Sequence, residues 1–455
     1  MLHSFDRPVI LRRLAQYPNL VADRVIDSHP GVSALLCESG LDADNPLGPW
    51  IQPGMRVLVK PNWVRHAADG WAAMEALTTH PSVIRPIVEY TARALRTKSG
   101  RYEGEIILAD APLQSTDFDR LLTQSALLPL MESWRGQGIP ISVADLRCVI
   151  SDTDESTGIV SSSRIVQGDP RGNTVVDLGM GSRLESLLAA GGRVGVSNYD
   201  CDTTTMHHCQ GIHRYRIANS LLDCDVVINL PKWKTHVKTG VTGALKNFIG
   251  INCDKAYLPH FRVGSPRRGG DEYPDSFTGA LLARMRPWLE RVMPGEVIRT
   301  ARKSLFSSVQ RSGSPLIFGG AWPGNDTLWR TVHDMVFIAR WLGKDGAKLS
   351  SPRPILTVLD AIVAGEGDGP LRPLPRDLNC LLFGTDPGQI DIHASALSGF
   401  DWRAIPLLTN LTGIEAASIT RFDADSSLPE TEMELKPPQA WAKALSAKDI
   451  YHEAA

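Results

Sequence analysis

The sequence predicts an α/β protein built on a mostly parallel sheet with flanking helices, a small antiparallel β insertion and a helical insertion. Three observations predict it. Short runs crowded with Val, Leu and Ile, among them Met55–Lys60, Gly104–Asp110, Asp225–Leu230 and Pro354–Asp360, read as strands buried on both faces. Helix-length segments separate the early runs, as crossovers between parallel strands require. A composition of 43 % hydrophobic and 22 % charged residues is that of a folded chain.

The elements follow in order. Residues 1–54 form an N-terminal extension of short elements that ends in turn-rich DADNPLGPWIQPG. Residues 55–147 make a first α/β unit. Its strand Met55–Lys60 is followed by a helix over Pro81–Lys98, with Pro81 at a first-turn position, then by strand Gly104–Asp110, a helix over Thr116–Trp134 and strand Ile139–Asp145. Residues 148–191 read as an antiparallel flap, because VISD, GIVSSSRIVQG and NTVVDLG are separated by turn residues. Residues 192–254 return to the α/β core, where strand Asp225–Leu230 feeds a Lys/His/Gly loop. Residues 255–345 are a helical insertion beyond a Gly/Arg-rich loop, with helices over Phe277–Val292 and Asn325–Leu342. Residues 346–425 complete the core with strand Pro354–Asp360, the GEGDGP loop, strand Asn379–Gly384 and helix Pro387–Leu397. Residues 426–455 are a tail closed by a helix over Ala440–Tyr451.

Charge and cysteine usage narrow the function. The 455 residues carry 48 Lys plus Arg and 50 Asp plus Glu, a formal charge of −2, which excludes a nucleic-acid binder working through bulk positive charge. No apolar run reaches membrane-spanning length, and the start, MLHSFDRPVILRRLAQ, is not an export signal. Seven scattered cysteines without a C-x-x-C pair read as reduced thiols of a cytoplasmic protein, with no iron–sulfur cluster.

Ligands of open α/β sheets sit beyond the carboxyl ends of the strands. Four predicted strand ends carry reactive residues: Lys60-Pro61-Asn62, Asp110, Lys232-Trp233-Lys234-Thr235-His236, and Asp360 with the Glu366 and Asp368 of GEGDGP. Their convergence would gather cations, carboxylates and an imidazole in one cleft. The segment from Lys232 to Gly250 reads as a loop opening a helix, where Thr242, Gly243 and Asn247 line the approach of an anion to Lys232, Lys234, Lys238 and Lys246. It is not a Walker loop. Glu366 and Asp368 are of a type to hold a metal or hydroxyls, against the alternative of acids that merely face water. Asp110, Asp360 and His80 are equally suited to cap helices. Arg262, with Arg267, Arg268, Asp271 and Glu272, reads as part of a lid that recognises carboxylate or phosphate. The run Met206–His213 matches no zinc spacing. His333 and His393 fit packed helical positions.

VLVKPN, then DVVINLPKWKTH…TGALKNFIG, then GEGDGP resembles the domain-of-unknown-function 362 family over about Val57 to Gly399. The ferredoxin-type cysteine run of many such relatives is missing here. A fainter likeness is to lactate racemases, in which a strand ends in a His, followed by a Gly-rich loop and a Lys. That likeness implies a transition metal or nickel-pincer nucleotide anchored on Lys246, with His236 and His260 as proton carriers or metal ligands. The expected function is an enzyme acting on a small anionic hydroxylated metabolite or sugar derivative, by racemase, epimerase or redox chemistry at a hydroxyl-bearing carbon. His236, Lys246 and Lys234 are the expected catalytic residues; Lys60, Lys232, Lys234 and Arg262 hold anionic groups, and Asn62 is a further binding residue. A transferase using nucleotide or sugar phosphate, and a non-catalytic binding protein, are the alternatives.

Overall fold

Parallel strands buried on both faces favour long apolar runs, and the central strands of this chain carry them, interrupted by Lys60, Asp110, Asn229 and Asp360. The computed structural model describes residues 9–11, 14–18, 25–67, 74–153, 160–196, 199, 201–276, 284, 319–411 and 433–445. Its main sheet runs β1 (Val9–Leu11), β16 (Leu374–Gly384), β15 (Ile355–Glu366), β11 (Val226–Leu230), β2 (Arg56–Pro61), β3 (Glu105–Asp110) and β4 (Ile141–Asp145). From β15 to β4 the neighbours are parallel. β16 is antiparallel to β15, and β1 is antiparallel to β16.

Side chains alternate between two cores, one on each face. Leu58, Ile107, Val227 and Leu359 enter one core, which also receives helices Leu328–Trp341 and Pro387–Leu397. Val57, Val59, Ile106, Leu108, Ile228 and Val358 enter the other, covered by helix Pro81–Ala94. His80 caps that helix, accepting from the amide of Ser82, and its ring stacks on Tyr17 at 3.8 Å.

Small antiparallel sheets flank this frame. β5 (Val149–Thr153) and β6 (Val160–Ile165) form a hairpin. β7 (Asn173–Asp177) does not join it; it pairs with β10 (Ile212–Ala218), which also pairs with β9 (His208–Cys209). β8 (Val194–Gly195) pairs with β14 (Phe261–Arg262).

Several expected elements differ. The helix expected over Thr116–Trp134 is two, Phe118–Gln124 and Leu127–Gly136, because Ala126 takes the left-handed conformation at φ 47°. Pro354–Asp360 extends as β15 through Glu366, so Gly365 and Glu366 of the GEGDGP loop are strand, paired with a β16 that starts at Leu374. Of the helical insertion, Leu328–Trp341 is helix, whereas Phe277–Val292 lies outside the described residues apart from Arg284. The closing helix is described only to Leu445, as the turn Gln439–Trp441 and helix Ala442–Leu445.

The expected loop after β11 is the largest correction. It is a buried hairpin of β12 (Lys232–His236) and β13 (Gly240–Thr242), with β12 also lying parallel to β15. In a strand the alternation of K-W-K-T-H puts Lys232, Lys234 and His236 on one face and Trp233 and Thr235 on the other.

Candidate functional site

Strand register brings the four loaded ends together. Asn229 of β11 lies beside Lys60 of β2, and Lys232 of β12 lies beside Asp360 of β15. Two fully buried ion pairs result. Lys60 Nζ sits 2.8 Å from Asp110 Oδ1, and Asp110 also accepts from the amides of Trp63 and Ala111. Lys232 Nζ sits 3.2 Å from Asp360 and donates to the Tyr17 hydroxyl, which donates in turn to Asp360 at 2.5 Å. Asp110 and Asp360 are therefore ion-pair partners, not helix caps.

Asparagines join these pairs. Asn247 Oδ1 accepts from Lys60 and Asn62 at 3.2 Å each, and its amide donates to Asn229. Lys234 donates to Asn62 Oδ1 at 3.0 Å and to the Leu77 carbonyl at 2.5 Å. It is fully buried without a carboxylate among these partners, and burial together with Lys246 and Lys232 holds its pKa well below the usual lysine range.

The segment carrying Lys246 is anchored from below. Asp391, in helix Pro387–Leu397, accepts from the amides of Ala244 (2.6 Å) and Leu245 (3.0 Å). A Cβ at Gly243 would lie 2.0 Å from Asp391 Oδ1, so glycine is required there for this contact. Gly250 is required for a parallel reason, since a Cβ would fall 1.9 Å from Asp110 Oδ1. The chain then turns through Lys246–Ile251 as a 3-10 helix.

Lys246 is half-buried, and its Nζ has no hydrogen bond or ion pair among the described residues. Burial pushes its pKa down to about 7, reinforced by Lys255 and Lys238. Those two are themselves pushed down to about 8 by burial, although carboxylates face both: Glu272 and Asp271 near Lys238, Asp110 and Asp254 near Lys255. No carboxylate among the described residues offsets Lys246.

Two imidazoles complete the cluster in complementary forms. His236 Nδ1 accepts from the amides of Lys238 (2.9 Å) and Thr239 (3.3 Å), so its proton sits on Nε2. His260 Nδ1 lies 2.7 Å from the Leu258 carbonyl, which can only accept, so its Nε2 carries the bare lone pair. Burial, with Lys246 and Lys238 close by, holds both rings neutral, well below the usual histidine pKa.

This donor set does not fit a metal ion. His236 offers a proton where a ligand would need a lone pair, and the charges around His260 Nε2 are ammonium groups. Among the described residues no group of three or more His, Cys, Asp or Glu side chains is placed to hold a metal.

Other expected binding residues lie elsewhere or do other work. Glu366 accepts from the amide of Lys436 (2.9 Å) and Asp368 from that of Gln439 (2.8 Å), so both fasten the segment 433–445. Trp441 donates to the Val237 carbonyl and ties that segment to the turn of the β12–β13 hairpin. Arg262 lies 3.7 Å from Asp271, which caps the turn before helix Leu328–Trp341 through Asp326 and Thr327. Thr242 stands opposite Lys234 in the hairpin, with its hydroxyl buried and unpartnered. In the histidine run, His208 and His213 are buried, His213 beside Glu185 (2.9 Å), and His207 stacks on Tyr257. His333 and His393 are packed.

Sequence reasoning missed Tyr17, Asn229, Lys255 and Asp391. An aspartate within the apolar helix P-G-Q-I-D-I-H-A-S-A-L was a usable signal, since a buried carboxylate there needs donors. Nothing local marks Tyr17. A cavity of about 450 Å³ lined by Ser182, Arg183, Glu185, Arg330, His333 and Asp334 shares no residue with the lysine cluster. Among the described residues no helix is long and apolar enough to cross a membrane.

Residues 186–396 match the model of a family described as a domain of unknown function, DUF362. No curated protein matches the chain. It is similar to a protein from Thermotoga maritima known from a crystal structure, at 11 % identity and a TM-score of 0.32, over 81 % of this chain and 56 % of that one. The chain thus spans a little over half the length of that protein.

Proposed function

We propose that this chain, whose residues 186–396 match the DUF362 model, is an enzyme acting on a small, anionic, hydroxylated metabolite, by racemase, epimerase or redox chemistry at the hydroxyl-bearing carbon. The observation that carries the reading is the environment of Lys246, where ammonium groups and neutral imidazoles meet and no carboxylate among the described residues offsets Lys246 itself. Burying like charges is costly unless an anion joins them, and a cluster of this kind is the usual mark of a site.

The anionic group of the substrate lies against Lys246 and Lys238. Lys234 stays bonded to Asn62 and, with the free hydroxyl of Thr242, faces the same ligand. His260 Nε2 takes a proton from the substrate, and His236 Nε2–H donates to the oxygen on which charge develops. Lys60 and Lys232, each locked to a carboxylate, position this cluster and do not touch substrate.

The test is thermal stabilisation by a panel of small hydroxy acids against their neutral amides. At a hundredfold excess over Kd a ligand raises stability by about 2.7 kcal/mol, which a melting curve resolves. Stabilisation by the acids alone, lost in Lys246→Met, supports the reading. Stabilisation only by nucleotides or sugar phosphates would replace it with the transferase reading.

A further inference from the structure

We infer that the segment 433–445 is a strap that fixes His236 as a hydrogen-bond donor, with Trp441 as its positioning residue. What that donor does rests on the proposed function; how it is held does not.

His236 lies between two residues that are each held from outside the β12–β13 hairpin. The Thr235 hydroxyl donates to the Gly367 carbonyl at 2.7 Å, and the Val237 amide donates to the Gly369 carbonyl at 3.1 Å. The loop that supplies both carbonyls is itself buckled to the strap. Glu366 accepts from the Lys436 amide (2.9 Å), Gly367 donates to the Lys436 carbonyl (2.9 Å), and Asp368 accepts from the Gln439 amide (2.8 Å). Trp441 then fastens the turn of the hairpin directly. Its Nε1–H donates to the Val237 carbonyl at 2.8 Å, and its ring packs so closely that a Cβ at Gly240 would lie 3.1 Å from it. Gly240 takes the left-handed conformation at φ 78°, which brings the chain round at that point.

The next two residues complete the device. With Val237 fastened at both its N–H and its C=O, the amides of Lys238 and Thr239 are held 2.9 and 3.3 Å from His236 Nδ1. A backbone amide only donates, so while this turn stays in place Nδ1 keeps its lone pair and the ring proton stays on Nε2. A ring released from the two amides exchanges between both tautomers. The strap thus selects a donor and withholds the base that the same imidazole could otherwise be. A donor fixed before the substrate arrives needs no reorganisation when charge develops on an oxygen.

The experiment uses the full chain, labelled with nitrogen-15 in its histidine rings and without substrate. His236→Gln identifies the His236 signals by their loss. In the native protein the two ring nitrogens should resonate far apart, in the coupling pattern of the Nε2–H form. Trp441→Phe keeps an aromatic ring against Gly240 and removes the N–H. In it the two His236 shifts should draw together as the second tautomer becomes populated, while the rings of His208 and His213 keep theirs. Glu366→Leu unbuckles the strap at its other end and should move the His236 shifts the same way, which settles the matter should Trp441→Phe not fold. Unchanged His236 shifts in the folded variants, or changes spread over all the rings, would overturn the strap and leave the proposed function standing. A native ring protonated on Nδ1 would overturn the fixed donor. Failure of every hydroxy acid to stabilise the native chain would remove the proposed function and leave the strap standing on its own signals.

Discussion

Two sets of lysines share the carboxyl end of one sheet and are treated in opposite ways. Lys60 and Lys232 are fully buried, each against an aspartate brought in by a neighbouring strand. Lys246, on a short turn beyond the hairpin, is half-buried among other cations. The first arrangement follows from stability, because a buried ammonium without a counter-charge is expensive. The second runs against it. Such a departure belongs where a ligand or a reaction supplies what the fold withholds.

The largest effect should come from breaking a committed pair. Lys60→Met leaves Asp110 charged and buried, and is expected to cost about 3–5 kcal/mol in chemical denaturation. Pairing it with Asp110→Leu should recover part of that loss. A Lys60→Met cost under 1 kcal/mol would end the contrast drawn here.

Next comes the support beneath Lys246. Asp391→Asn replaces one of two acceptors with a donor facing backbone amides, and should cost about 1–3 kcal/mol. It should also weaken hydroxy-acid binding, since the turn carrying Lys246 loses its anchor. Burial raises the Asp391 pKa from 3.8 to about 7. The native state therefore holds a proton that the unfolded state has lost, so this group's contribution to stability falls as pH rises from about 4 to 7. Asp391→Asn should remove that part of the pH dependence.

Lys246→Met sharpens the comparison by its small effect on stability. At neutral pH it should leave stability unchanged or raise it slightly, while weakening binding of small hydroxy acids at least tenfold. The pH dependence has a definite sign. With its pKa lowered from 10.5 to about 7, Lys246 loses its proton before the unfolded chain does, so its contribution to stability rises between about pH 7 and 10. The difference between native and Lys246→Met unfolding curves across that range measures it, and a flat difference would show that Lys246 is solvated normally. The smallest effect belongs to Asp368→Asn, exposed and bonded to one tail amide, expected within about 0.5 kcal/mol and without effect on binding.

Much of the frame was legible because parallel strands announce themselves as continuous apolar runs, and MRVLVK, EIILAD and DVVINL all sit in the main sheet. His236, Lys246, Lys234 and Asn62 were legible by type. Their surroundings were not. Lysines at two-residue spacing read as an anion-binding loop opening a helix, because propensity gives no hint that Asp360 and Tyr17 will meet Lys232 from distant parts of the chain. The acids of GEGDGP looked like ligand donors, yet their amide partners lie in the segment 433–445, a pairing no local pattern encodes.

The sheet that assembles this site has a consequence for when Lys246 acquires its surroundings. Leu58 pairs with Val227, and Val227 with Ile355, so neighbouring central strands are far apart along the chain. Contacts of such long range close late and slowly during folding. Until β15 docks, Lys232 has no Asp360, and until the helix Pro387–Leu397 docks, the turn bearing Lys246 has no Asp391. A growing or partly folded chain therefore carries an ordinary, solvated lysine at this position. The lowered pKa of Lys246 thus arises only with completion of the fold.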